Sequence, residues 1–560
     1  MDNYTDDDDE DPDFVMDLES ESDDDEIIED QGDENTPIET DANNLPVYFC
    51  KDKFIAWTGK SDIGASRNRT ENIIRERSGA TGYVIHRVTS IKESFDICFT
   101  SQMKKIVVDF SNLEGRKKYG LDFKEIGNCE VEAYFGILLL IGVYRSKGES
   151  VRSLWDEFHG RPIFRAIMSL GRFLEICRVL RFDDRDNRRN IGFRDKLCPI
   201  RDLYNKWVEN LPLLYVPNEN ITIDEQLISF RGRCPFKVYM PSKPAKYGMK
   251  AWVAADIKTK FCLNFQIYLG KESANAPPER NQGERVVLDL VGKYRGRNIT
   301  TDNFFTTRNL ALSLLQRNMT LVGTVRKNKR FLPQCGTVAA NRALPLYTSR
   351  FFFNEKMTIV QYVSKKYKMV SVLSTLHHSE NVLDNHPKKI PEIIDYYNST
   401  KAGVDTIDQL VGSYSCKRQT NRWPIALFSN LIDLSALNGF VIYKEINPQW
   451  NASKRSKRRL YLEALGLELV NDHMASRSRI PRTAASAQMV EAVQANLQPS
   501  TSNRIATKRQ ASKRFTCAVC PSKICRKTFE RSSVCNKPVC PQHRTTTTKT
   551  TSYCDDHKLK

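Results

Sequence analysis

Hydrophobic and polar positions change rhythm several times along the chain, and each change predicts a different kind of element. Residues 1 to about 45 are acidic and almost without aromatics, too polar to bury a core, so a disordered tail is expected there. From about Glu130 to Pro217 the period is helical. Leu170, Phe173, Leu174, Cys177 and Leu180 fall on one face, and Trp207 sits in a second helical stretch, Asp202 to Glu209. Phe135 to Val143 is apolar throughout, about half of the ~20 residues that span a bilayer, and reads as a buried helix.

The pattern switches at about Asn220. Ile221 and Ile223, then Ala251 to Ala255, then the alternation Phe261, Leu263, Phe265, Ile267, Leu269 predict three strands with period-2 burial. A helix follows on Val287, Leu290, Val291 and Tyr294 and leads into a fourth strand, Asn298 to Asp302. A helix around Arg308 to Leu315 and a fifth strand, Leu321 to Val325, complete the order βββαβαβ, that of a ribonuclease-H-like α/β fold. Between about Ser476 and Lys513 the chain turns to Ala, Ser, Gln and Thr, which predicts a flexible linker.

Composition narrows the partners. The chain has 560 residues, room for about three or four domains, and a net charge of +17. Residues 1–41 hold 21 Asp or Glu and no Lys or Arg; setting those 21 negative charges aside leaves the rest of the chain at +38. So cationic a body favours a polyanion such as nucleic acid. The acidic tail then reads as an interaction tail, a decoy competing with DNA for the basic body, or a solvating segment with no partner. The first residues lack a secretory pattern, so an intracellular compartment without disulfides or membrane is expected. Nine of the 15 cysteines are scattered from Cys50 to Cys416, while six crowd between Cys517 and Cys554.

Four carboxylates stand at element ends. Asp224 and Asp302 lie where strands finish; Asp405 and Asp408, three apart, share one face of a predicted helix. Phosphodiester cleavage with two metal ions needs carboxylates converging on one spot, with ions ~3.5–4 Å apart, and magnesium suits oxygen ligands. Each acid singly reads as well as a turn former or helix cap. Basic stretches flank them: Arg231, Arg233, Lys237, Lys243, Lys246 and Lys250 on one side, Lys417, Arg418, Arg422 and Trp423 on the other. Such cations ease a polyanion toward the acids, and Trp423 reads either as a base-stacking platform or as a core residue beside a helix-starting proline.

Cys517-x2-Cys520, Cys535, Cys540-x2-His543 and Cys554-x2-His557 have zinc-ligand spacing in a segment too poor in apolar residues to fold without a metal. Basic clusters at Lys454 to Arg459, Lys508-Arg509 and Lys513-Arg514 suit nuclear import or phosphate contact.

A series of motifs in order, Ile221-Thr-Ile-Asp-Glu-Gln, Phe230-Arg-Gly-Arg-Cys-Pro-Phe, Pro241-Ser-Lys-Pro-Ala-Lys-Tyr-Gly, Asn298-Ile-Thr-Thr-Asp-Asn, Val322-Gly-Thr-Val-Arg, Tyr396-Tyr-Asn, Gly403-Val-Asp-Thr-Ile-Asp-Gln and Thr420-Asn-Arg-Trp-Pro, resembles the piggyBac family of DNA transposases over residues 48 to 475 and the cysteine-rich tail. The resemblance implies a nuclear cut-and-paste enzyme that excises an element through hairpin intermediates and inserts it at TTAA sites. It acts as a homodimer on double-stranded DNA bearing terminal inverted repeats, with Mg2+ or Mn2+ as cofactor. Asp224, Asp302 and Asp405 then hold the metal, Asp408 is the further catalytic acid, and the cations named above with Trp423 bind DNA.

The domains so implied form a multidomain α/β chain. A disordered acidic tail (1–45) precedes a helical dimerisation and DNA-binding domain in two parts (46–217 and 412–475). A ribonuclease-H-like catalytic core (218–325 and 396–411) is split by a β-rich insertion (326–395), and a linker (476–513) leads to a zinc-binding domain (514–560). The family's tail is a cross-brace finger binding element ends or chromatin through two zinc sites. Cys517, Cys520, Cys540 and His543 complete the first; the second has Cys535, Cys554 and His557, but Ser532 stands at its fourth position unless Cys525 substitutes. Two other classes stay open: a domesticated DNA-binding descendant, and a chromatin adaptor without enzymatic activity.

Overall fold

A computed structural model of the chain describes residues 39–40, 46–51, 53–61, 71–188, 195–271, 277, 279–335, 344–496 and, in the tail, 515–521, 524, 527–528 and 537–543. Most of the acidic tail, the basic clusters after Thr507, and Cys525, Ser532, Cys535, Cys554 and His557 lie outside the described residues. The chain divides into two compact units, Met1–Leu497 and Gln498–Lys560.

Helices Ser101–Tyr119, Asn128–Val143, Leu170–Val179 and Arg201–Leu214 make the helical region of the first unit. Asn128–Val143 has no polar stripe over its last two turns and is buried all round, as its unbroken apolar run requires. Gly136 lets the helix Lys457–Ala475 lie directly against it: a Cβ there would stand 2.8 Å from the Gly466 carbonyl and 2.5 Å from Val470 Cγ1. Trp207, on Arg201–Leu214, is fully buried and donates from its indole to Ser435 Oγ at 2.8 Å.

The catalytic candidates sit on a 12-stranded sheet. Its central strands are β1 (Asn220–Ser229), β2 (Tyr247–Asp256) and β3 (Cys262–Ile267), followed by α1 (Gln282–Val291), β4 (Asn298–Thr301), α2 (Arg308–Gln316) and β5 (Thr320–Val325). β1, β4 and β5 run parallel; β2 is antiparallel to β1, and β3 to β2. Period-2 side chains divide the strands between two cores. Ile221, Ile223, Trp252, Ala254 and Leu263 face α1 and α2, while Ile228, Val253, Ala255 and Phe265 face the helical region. Asp224 shares its strand parity with Thr222, Gln226 and Ile228, so it belongs to the second face.

Beyond β5 the sheet continues through the antiparallel strands Lys368–Ser374, Met357–Lys365 and Ser349–Asn354, and then through Ala56–Thr58 and Pro46–Phe49 from the start of the chain. After them come α3 (Glu392–Thr400), α4 (Gly403–Ser413) and α5 (Trp423–Ile446). α5 is long and apolar enough to cross a membrane, yet 89% of its apolar window is buried inside the protein, which makes it a core helix.

The stretch expected to be a linker holds a helix, Ala484–Asn496. Val490 is fully buried and Ser486 Oγ donates to the Pro162 carbonyl at 2.8 Å. The correction has a simple cause. Ala and Gln, read as loop composition, are strong helix formers, and one buried Val with a satisfied Ser suffices to dock a short helix.

Candidate active site and metal cluster

Register brings the first two acids together. Ile223 on β1 lies opposite Thr301 on β4 in the parallel pair, so Asp224 and Asp302 follow side by side where that pairing stops. Asp302 ends its strand as expected, but Asp224 does not: pairing with β2 carries β1 on to Ser229, which leaves Asp224 in mid-strand. One layer below, Thr222 Oγ1 donates to the Thr400 carbonyl and Thr300 Oγ1 donates to Thr400 Oγ1 at 2.8 Å, which ties the end of α3 to both strands. Gly403 then starts α4 against β1, where a Cβ would stand 3.0 Å from Thr222 Cβ and 2.8 Å from Ile257 Cδ1. That close approach carries Asp405, in the first turn, and Asp408, one turn on, to the strand end.

The acids perturb one another. Asp224 is pushed up to about 7, first by burial and then by the negative charge of Asp302, with Lys243 opposing. Asp408 is pushed up to about 6 by burial, against the hydrogen bond from Gln226 Nε2 to its Oδ1 at 2.6 Å. Lys243 Nζ sits 3.0 Å from Asp405 Oδ1. Burial disfavours its charge, but Asp224 and Asp405 outweigh that and raise its pKa. Asp302 Oδ1 accepts from the Phe304 N–H at 3.0 Å, an Asx turn that fixes the strand end. Among the described residues no three of these carboxylates bring oxygens within 4.8 Å of one another. They form an open set of oxygen donors, suited to a hard divalent cation that keeps waters of its own.

The other predicted residues divide. Arg231, Arg233 and Lys246 are exposed in the loops after β1 and before β2, where a polyanion can reach them, and only Lys243 reaches the acids. Lys250 is buried, 2.5 Å from Glu225 and over the Phe304 ring, so it holds the fold. Lys417 Nζ donates to Ser229 Oγ at 2.8 Å. Arg418 donates to the carbonyls of Ser146 and Glu149, and Arg422 to that of Leu180, ties that brace the loop before α5. Trp423 is 9% exposed and meets Phe236 edge-on at 4.9 Å. Of its two readings, the core residue is what the structure contains.

Two residues near the acids were missed in the sequence. Gln226 is two residues beyond Asp224 on the same strand face, a spacing that could have flagged it. Tyr397 is pushed up to about 12 by burial, with the negative charges of Asp302, Asp224 and Asp405 adding and a hydrogen bond to Thr324 opposing.

In the second unit the ligand atoms of Cys517, Cys520, Cys540 and His543 all lie within 4.8 Å of one another. The Cys520 and Cys540 sulfurs are 3.7 Å apart, and His543 Nδ1 is 3.4 Å from each. A tetrahedron with metal–sulfur bonds of ~2.3 Å has sulfur–sulfur edges of about 3.8 Å, so the four groups fit one zinc ion. The amide of Cys540 helps hold the Cys517 thiol down at about 5, already in the range of a ligating thiolate.

Residues 92–440 match the family described as Transposase IS4. The human PiggyBac transposable element-derived protein 3 is 24% identical over 395 residues, 67% of this chain and 65% of that protein. The human Chimeric ERCC6-PGBD3 protein is equally similar, with 36% of its length covered, so the chain spans less than two thirds of either relative. Among solved structures, a piggyBac transposase synaptic complex with hairpin DNA superposes with a TM-score of 0.71 at 33% identity, covering 84% of this chain and 98% of that one. With more than half its length matched and its fold shared, the chain belongs to the transposase family, in its piggyBac type.

Proposed function

We propose that the protein is a cut-and-paste DNA transposase that cleaves and rejoins double-stranded DNA at the ends of an element and inserts it at TTAA. The observation that carries this is the approach of Asp224, Asp302 and Asp405, with Asp408 one helical turn on, to the place where the parallel pairing of β1 and β4 stops. The strand order β5-β4-β1-β2-β3, parallel on one side of β1 and antiparallel on the other, reads as a ribonuclease-H-like core. Asp224, Asp302 and Asp405 would hold Mg2+ or Mn2+, which when bound supplies an activated oxygen nucleophile and steadies the leaving oxygen. The fit rests on their oxygen donors and on the raised pKa of Asp224, a sign of crowded negative charge that a divalent cation relieves. Lys243 meets the incoming phosphate beside Asp405. Arg231, Arg233 and Lys246 steer the backbone. Cys517, Cys520, Cys540 and His543 hold Zn2+, in a module for element ends or chromatin.

Two element ends must be held at once, so the working form is a homodimer in the nucleus, with terminal inverted repeats as its DNA. The solved relative, a synaptic complex with hairpin DNA, supports the DNA partner. A second reading, a domesticated DNA- or chromatin-binding protein, is favoured by the name of one human relative, an element-derived protein. Excision of a marker flanked by the DNA that borders this gene, compared between wild type and Asp302→Asn, separates the two. Seamless restoration by wild type alone supports the transposase. No excision by a protein that is expressed and bound to those flanks supports the binding protein.

A further inference from the structure

Gln226 lies beside the acids without touching a reacting group, yet its amide is committed at both ends. Its side chain is sealed on β1, the residue being 2% exposed. Nε2 donates to Asp408 Oδ1 on α4 at 2.6 Å, and Oε1 accepts from Asn430 Nδ2 on α5 at 3.1 Å. Asn430 is itself 7% exposed. The three residues form a chain of hydrogen bonds across three elements, α5 to β1 to α4. An ionised carboxylate only accepts, so the amide must turn its NH2 to Asp408 and its carbonyl to Asn430. A flipped Gln226 would set oxygen against oxygen at one end and two NH2 groups together at the other. Among the described residues Asp408 has no other side-chain hydrogen bond, so this relay alone fixes its carboxylate.

We propose that Gln226, anchored by Asn430, is a positioning residue that holds one oxygen of Asp408 and so aims the carboxylate at the strand ends where Asp224 and Asp302 lie. This rests on the catalytic reading given above. It also gives α5, a buried core helix, a part in the chemistry: Asn430 donates to the Gln226 carbonyl from behind and so anchors the amide whose sense Asp408 sets. Packing alone would be served as well by an apolar pair, which carries no hydrogen-bond direction.

The full-length chain is tested with Gln226→Met, close in shape but unable to make either contact, and with Asn430→Leu, which removes the anchor alone. Cleavage of a plasmid carrying the DNA that borders this gene is followed in Mn2+. Gln226→Met should lower the rate at saturating DNA about 10- to 100-fold, the worth of one hydrogen bond to a charged group, with the half-saturating DNA concentration unchanged and the melting temperature lowered but well above the assay temperature. Asn430→Leu should lower it about tenfold or less. In the crystal structure of Gln226→Met the Asp408 carboxylate should turn away from β1 while Asp224 and Asp405 keep their places. An unmoved Asp408, or a full cleavage rate at saturating DNA, would overturn the proposal. A displaced Asp408 in a protein whose wild type does not cleave would uphold the positioning and count against the transposase reading instead.

Discussion

Replacing Asp224 by Asn should stabilise the magnesium-free protein at neutral pH, and the size of the effect follows from its surroundings. The carboxyl has an ordinary value of 3.8 and is held at about 7 in the fold, by burial first and by Asp302 next. Between those values the unfolded chain has released the proton that the folded chain keeps. The folded state therefore binds more protons, and stability falls as pH rises through that window. A difference of about 3 pH units at ~1.36 kcal/mol each is about 4 kcal/mol, and water at the open side of the half-buried group reduces it toward about 2. Asn keeps the shape and cannot ionise. Urea unfolding of both proteins from pH 4 to 8, without added divalent cation, should give matching stabilities at the acid end and a gap of about 2–4 kcal/mol in favour of Asn above pH 7. Asp408 contributes with the same sign in both proteins and cancels. Adding Mg2+ at pH 7.5 should raise the wild type more than the variant and close the gap, because a bound cation stabilises only the state that holds it. Parallel curves from pH 4 to 8 would refute the argument, since they would mean that Asp224 ionises as freely in the fold as out of it.

Three further outcomes are expected. Gly403→Ala pushes a methyl within 3.0 Å of Thr222, which its bond to the Thr400 carbonyl keeps from yielding; a loss of about 1–3 kcal/mol in thermal unfolding and a larger loss of DNA cleavage than of DNA binding should follow. Trp423→Ala should cost about 3–5 kcal/mol in urea unfolding, whereas a displayed stacking platform would lose DNA affinity at unchanged stability. Cys540→Ala should remove one zinc per chain by elemental analysis and expose residues 515–543 to protease, because that cluster has little apolar surface to replace the metal.

Much of the architecture was legible because its signals are local. Period-2 burial from Phe261 to Ile267 and helical spacing from Val287 to Val291 belong to single elements and need no partner to be recognised. Asp302 was legible for the same reason, ending its own strand run, whereas Asp224 was expected at a strand end and lies in mid-strand, because pairing with β2 carries β1 on to Ser229. What was not legible depends on distant pairs. Gln226 carries no signal of its role until Asp408, 182 positions away, takes its donor and Asn430, 204 positions away, supplies a donor to its carbonyl. Trp423 looked able to stack on a base because nothing near it in sequence says that Phe236 covers it. The guanidinium groups of Arg418 and Arg422 read as phosphate ligands by charge, yet main-chain carbonyls of the helical region take them. The helix at Ala484–Asn496 was lost to a different error, the weighing of composition above intrinsic propensity.

The charge distribution ties these points together. The body carries a broad excess of Lys and Arg suited to a polyanion, but beside β1 the balance reverses, with the carboxylates of Asp224, Asp405 and Asp408 acting on Lys243 and Asp302 acting on Asp224. A phosphodiester brought there meets repulsion that Lys243 cannot cancel, because its charge is already engaged by Asp405 and felt by Asp224. The fold keeps these acids from relaxing away. Asp224 is set by strand register, Asp302 by an Asx turn, Asp405 by the close approach of Gly403 to Thr222, and Asp408 by Gln226. Four separate restraints on like charges cost stability, as the raised pKa of Asp224 records, and among the described residues Lys243 is the cation paired with one of them, Asp405. Persistence of crowded acids in so basic a protein is therefore an argument for the proposed chemistry, in which divalent cations would relieve the repulsion among them.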